Sequence, residues 1–81
     1  PEDEGSVTVL VVESDPAVVE AIRRALASPA RTLVVVGSAA AARLALAERT
    51  PDLIVQAIAL PDADGRAFLG ELRGDPRTAR V

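Results

Sequence analysis

Three stretches of this 81-residue chain hold side chains that could do chemistry: Glu13-Ser14-Asp15, the pair Gly37-Ser38, and the run from Ala57 to Gly65 that contains Asp62 and Asp64. Acids grouped in this way suit a hard divalent cation such as Mg²⁺, which takes oxygen ligands. Other chemistries drop out on composition. There is no Cys and no His, so the usual zinc sites, thiol nucleophiles and His-based triads are excluded. Nine Arg against twelve acids give a net charge of −3, which opposes binding along a phosphate backbone. Phe68 is the only aromatic residue, so there is no stacking platform for single-stranded nucleic acid. A nucleotide cradle is missing too. The turn where it would sit is Glu13-Ser14-Asp15-Pro16, with no Gly and two carboxylates that repel phosphate.

The elements that must position these residues are legible in the pattern. Val7–Val12 (V-T-V-L-V-V) is β-rich and nearly all apolar, as in a strand covered on both faces. Asp15 followed by Pro16 is a helix start, an Asx cap before Pro at the first helical position. From Pro16 to about Ala27, the apolar Val18, Ala21, Ile22, Ala25 and Leu26 share one face, opposite Glu20, Arg23 and Arg24. Thr32–Gly37 reads as a second buried strand. Ser38 is placed to cap a helix from Ala39 to about Arg49, with Leu44 as its firmest core residue, supported by Ala41 and Ala45. Leu53–Ile58 is a third strand, and a third helix runs from about Arg66 to Arg73 with Phe68, Leu69 and Leu72 facing inward. Gly74 stops it, and Val81 is placed to open a fourth strand.

The order βαβαβα with short loops predicts an α/β fold, a parallel sheet with helices on both faces. In such sheets ligands bind at the carboxyl ends of the strands, which is where all three chemical stretches fall. Each acid also has a plainer role. Asp15 reads first as a helix cap, and Asp62 and Asp64 as turn formers in Pro-Asp-x-Asp-Gly. Glu13 directly follows an apolar strand, so its carboxylate belongs at the rim of any pocket.

The stretches V-L-V-V-E-S-D-P, S-A-A-A-A-R-L-A-L and P-D-L-I-V-Q-A-I-A-L-P-D-A-D-G together resemble the receiver domain of two-component response regulators, in register over about residues 7–81. The resemblance implies the first three βα units of a flavodoxin-like, doubly wound parallel sheet. It also implies phosphoryl transfer from a histidine kinase to an Asp at the end of the third strand, with Mg²⁺ held by an acidic pair after the first. Carried over by position, the phosphoacceptor falls on Ala57 and the acidic pair on Glu13 and Ser14, while the Ala59 carbonyl completes the metal site. Gln56 stands where the family usually has an apolar residue. A methyl group is no nucleophile, and one Glu with a carbonyl is a poor set for Mg²⁺, which dehydrates reluctantly.

The expectation is therefore a degenerate receiver in bacterial two-component signalling. It is not an enzyme and is not phosphorylated, and it regulates an attached or partner output module through protein contacts. No cofactor is expected, with Mg²⁺ held weakly by Glu13 at most. Two alternatives stand beside it: a phosphorelay receiver using Asp62 or Asp64 as a displaced acceptor, and a small Mg²⁺-dependent α/β hydrolase. Expected partners are an output module, another receiver or a histidine kinase, with no nucleic acid and no membrane.

Residues 1–6 read as an acidic lead-in, the opposite of a signal peptide's basic start, and no apolar run approaches about 18 residues. With no Cys, a cytoplasmic setting fits. A start without Met and an end at Val81 fit a fragment. If the chain is a half-domain, the strand order is 2-1-3, and the open third-strand edge, Leu53–Ile58, is expected to pair with a second copy.

Overall fold

The computed structural model describes residues 7–79, as three strands and three helices in strict alternation. These are β1 (Val7–Val12), α1 (Pro16–Leu26), β2 (Arg31–Val36), α2 (Ala39–Glu48), β3 (Leu53–Gln56) and α3 (Gly65–Gly74). The lead-in and Val81 lie outside the described residues.

The strands form one parallel sheet in the order β2-β1-β3. The chain therefore steps one way from β1 to β2 and back past β1 to reach β3. Two right-handed crossovers in opposite directions set α1 on one face of the sheet and α2 on the other. The reversal falls between β1 and β3, which makes their carboxyl ends the switch point of the sheet.

Among the described strands the central one is the best covered, with Val7 alone exposed. Val9, Leu10, Val11 and Val12 are all buried, and their side chains alternate between the two faces. Leu10 and Val12 join Ala39, Ala42 and Leu46 of α2 and Phe68 and Leu72 of α3 in the main core. Buried Thr78 closes the end of this layer, its Oγ1 donating to the Leu72 carbonyl at 2.7 Å. At the start of β3, Asp52 and Thr8 bond reciprocally. The Thr8 N–H donates to Asp52 Oδ2 and the Asp52 N–H to the Thr8 carbonyl, each at 2.8 Å.

Four expectations need correction. Leu44 is not a core residue: it is 72% exposed, and Leu46 is buried in its place. α2 is so rich in Ala that almost every face is apolar, and the pattern leaves its rotation open. Ala39, Ala42 and Leu46 face the sheet, and Leu44 lies about 200° round the helix from Leu46. Leu69 is likewise turned out of the core, flanking the groove beside β3 with Ile54 and Gln56. β2 is half-exposed rather than buried, because β1 is its only strand neighbour among the described residues. α1 keeps its predicted amphipathic face, but no residue on it is buried. Ile22 and Leu26 are half-covered and Val18 is exposed. β3 also ends at Gln56, two residues short of the expected boundary, where the chain turns into the loop before α3.

Candidate functional site at the carboxyl ends of β1 and β3

Register places the two central candidates side by side. Val12 pairs with Gln56, so Glu13 and Ala57 are the next residues along each strand. The Ala57 N–H donates to the Val12 carbonyl at 2.9 Å, and the Glu13 N–H reaches across to the Val36 carbonyl at 3.0 Å. The three strand ends are thereby tied together, with the half-buried methyl of Ala57 where the switch point opens.

Glu13 does not reach out from this rim. Its Oε2 accepts from the backbone N–H groups of Ser14 and Asp15, each at 3.0 Å, folding the carboxylate onto its own loop. Ser14 is exposed. Asp15 is a helix cap, with Oδ1 accepting from the Ala17 N–H at 2.9 Å before Pro16.

The other two acids are held by helices. Asp64 caps α3, its Oδ1 accepting from the Arg66 N–H at 2.8 Å. Asp62 does something its sequence position does not suggest. Oδ1 accepts from the Ala39 N–H at 2.8 Å and Oδ2 from the Ala40 N–H at 2.9 Å, across more than twenty residues of chain. These bonds, and more weakly the nearby Arg43 charge, hold its carboxyl below the usual carboxylate range.

Around Ala57 the loop is packed backbone to backbone. A Cβ on Gly65 would come within 2.3 Å of the Ala57 carbonyl oxygen and 2.4 Å of that of Ile58, so only glycine allows this approach. The Gly65 N–H donates to the Ile58 carbonyl at 2.7 Å. Gln56 supplies the matching contact, its Nε2 donating to the Gly65 carbonyl, while its buried Oε1 has no partner. Ala59 bridges to Asp64 and draws the loop shut. One helical turn beyond Ala39, Arg43 holds Glu71 of α3 through two bonds of 2.7 and 2.8 Å and lies 5.4 Å from the centre of the Phe68 ring. This pairing raises the Arg43 pKa and lowers that of Glu71.

The structure thus brings Glu13 and Ala57 together at the switch point, with Ser14 exposed beside them, and draws Asp62 and Asp64 away into caps. Among the described residues no group of three acids is placed to hold a metal ion. A hard cation needs several converging oxygens, and the one carboxylate nearest Ala57 is already engaged by its own backbone.

Comparison with known proteins decides the family. The model of the response regulator receiver domain matches residues 9–81. The chain belongs to the response regulator receiver family. Over 66 residues this receiver is 35% identical to the transcriptional regulatory protein KdpE of Mycobacterium tuberculosis. That match covers 82% of the chain but 29% of KdpE, so the chain spans under a third of its relative's length. Among solved structures, the phosphorylated cyanobacterial phytochrome response regulator RcpA superposes with a TM-score of 0.86 at 29% identity, over 94% of this chain and 61% of RcpA. The signal receiver domain of a histidine kinase from Syntrophus aciditrophicus gives 0.83 at 27% identity, covering 91% of this chain and 56% of that one. The receiver's sheet and helices are those of this flavodoxin-like family, and its setting is two-component signalling.

Two features of the site were beyond sequence reasoning. Nothing local marks Asp62 as a cap for a helix more than twenty residues upstream, since Ser38 already stands at the expected capping position. The role of Gln56 was also missed, although an amide in an otherwise apolar strand was the available signal.

Proposed function

We propose that this receiver works without being phosphorylated and regulates an attached or partner output module through protein contacts. The observation that carries the reading is the methyl group of Ala57 at the switch point, where the family resemblance puts the phosphoacceptor. A methyl cannot attack a phosphoryl donor. The neighbouring positions support the same reading. Ser14 offers a hydroxyl where the second acid of the pair would be, and Glu13 is bonded to its own loop. Mg²⁺ would be bound weakly at most.

Two observations weigh against a displaced acceptor. Both oxygens of Asp62 are taken up by backbone N–H groups, and Asp64 is the α3 cap. A nucleophilic carboxylate would have to leave its helix terminus first, losing charge-assisted hydrogen bonds. For the hydrolase alternative, no nucleophile with a general base beside it is found among the described residues. Such a receiver acts in the cytoplasm, and its contacts are with an output module, another receiver or a histidine kinase.

If the chain is a half-domain, the edge of β3 is a further place for association. Leu53, Ile58 and Leu69 are exposed along it, and β1 is the only strand paired with β3 among the described residues. Sedimentation over a range of concentrations tests pairing between copies, and a monomer at every concentration would remove that part of the reading.

Phosphorylation itself is tested by incubating the chain with acetyl phosphate and Mg²⁺ and recording its intact mass. No phosphoryl adduct is expected. An adduct mapped to Asp62 or Asp64 would overturn the reading in favour of a displaced acceptor.

A further inference from the structure

The first turn of α2 has its donors fully assigned, and most of the assignment comes from outside the helix. A helix leaves its first N–H groups without intrahelical partners. Here the Ala39 and Ala40 N–H groups go to the two oxygens of Asp62, and the Ala41 N–H goes to Ser38 Oγ at 3.0 Å. The Ala42 N–H then makes the first intrahelical bond, to the Ser38 carbonyl. The ordinary local cap, Ser38, satisfies one donor, while Asp62 satisfies two from the loop that follows β3.

That loop is the one beginning at Ala57. From Ala57 to Gly65 it is fixed at its far end by the Gly65 and Gln56 bonds and in its middle by Asp62 on α2. A carboxylate at a helix N-terminus is also favoured by the helix dipole. The charged group of α2 that acts on Asp62 is Arg43, itself held by Glu71 of α3.

We propose that Asp62 is a positioning residue that locks the loop after β3 onto the first turn of α2, so that the carboxyl edge of the sheet keeps one arrangement without a phosphoryl group. The lock rests on the reading of an unphosphorylated receiver only in its last clause; the tie between loop and helix stands on its own geometry.

The test uses the chain with Asp62→Asn and Asp62→Ala, followed by amide NMR. In the parent, the Ala39 and Ala40 amide protons are expected to shift together as the pH falls, with a midpoint below the ordinary carboxylate range. Their exchange with solvent should quicken by about tenfold or more in Asp62→Ala, as a locally opened helix end does, and less in Asp62→Asn, which keeps one acceptor oxygen. The amides of Val9 to Val12 in β1 should keep their protection in both variants. Unchanged exchange at Ala39 and Ala40, or an equal loss of protection throughout β1, would overturn the proposal, the second by showing general destabilisation in place of a local tie. A phosphoryl adduct on the parent would fail the unphosphorylated reading separately, because it is read by mass and not by these two amides.

Discussion

Replacing Gly65 with Ala tests the packing that shapes the loop around Ala57. The added Cβ would meet two backbone carbonyl oxygens at 2.3 and 2.4 Å and the Ile58 carbonyl carbon at 2.7 Å. An unstrained C···O contact is about 3.3 Å or more, so the start of α3 must withdraw by about 1 Å. None of the three atoms is the end of a flexible side chain. Withdrawal breaks the 2.7 Å bond from the Gly65 N–H to the Ile58 carbonyl, worth about 1 kcal/mol net. It also weakens the hold on the Gln56 amide, whose Nε2 loses the Gly65 carbonyl and keeps only the 3.5 Å bond to the Ala57 carbonyl, while its Oε1 is already without a partner. An unsatisfied buried polar group costs about 1–3 kcal/mol, against which the lower chain entropy of Ala returns about 0.5–1 kcal/mol. The expected loss is about 1–3 kcal/mol. With a urea slope of about 1–1.5 kcal/mol/M for so small a domain, the unfolding midpoint should fall by about 2 M. Gly37→Ala is the control, because no atom lies within 4 Å of a Cβ there, and its effect should stay within about 0.5 kcal/mol. A Gly65→Ala midpoint within about 0.3 M of the parent would refute the close-approach argument.

Three further outcomes are expected. Leu46→Ala should cost about 2–4 kcal/mol in chemical unfolding because Leu46 is 5% exposed, whereas Leu44→Ala at a 72% exposed site should cost under about 0.5 kcal/mol; equal effects would show that the rotation of α2 is wrong. Ser14→Asp combined with Ala57→Asp should introduce Mg²⁺-dependent amide shifts at Glu13, Asp15 and Ile58 and lower stability in metal-free buffer, since carboxylates crowded beside Glu13 repel one another; a double variant indifferent to Mg²⁺ would show that these positions do not form one pocket. Stability should also fall in acid. Asp62 and Glu71 have folded pKa values depressed by the Ala40 and Ala39 N–H groups and by the Arg43 side chain, respectively, so their contribution is complete above the unfolded values and is lost as pH drops through the folded ones. Urea midpoints should be level near neutrality and decline below about pH 4, and a midpoint unchanged into strong acid would contradict both pairings.

The alternation of strands and helices was readable because each signal is local. Val7–Val12 is an uninterrupted apolar run, Asp15-Pro16 and Ser38 start helices in the expected way, and Pro29 and Pro51 separate elements. Handedness alone leaves the strand order open; the order 2-1-3 and the positions of Glu13 and Ala57 are what the receiver resemblance implies. What escaped depends on rotation and on distance along the chain. A helix in which eight of ten residues are Ala or Leu has no phase to read, so Leu44 was exchanged for Leu46. The burial of β2 and Leu69 was overestimated because an apolar sequence does not say which elements lie beside it. Asp62 looked like a turn residue because turn chemistry is local, whereas its partners Ala39 and Ala40 are brought to it only by the fold.

This receiver keeps the family's scaffold, and the proposal is that its switch point works without metal or phosphoryl chemistry. The most direct measurement is an amide NMR spectrum of the chain recorded with and without millimolar Mg²⁺. Dispersed resonances that do not move with the metal are expected. Saturable shifts confined to Glu13, Ser14 and the loop from Ala57 to Gly65 would contradict it, showing a cation pocket that still assembles without the second acid and the Asp.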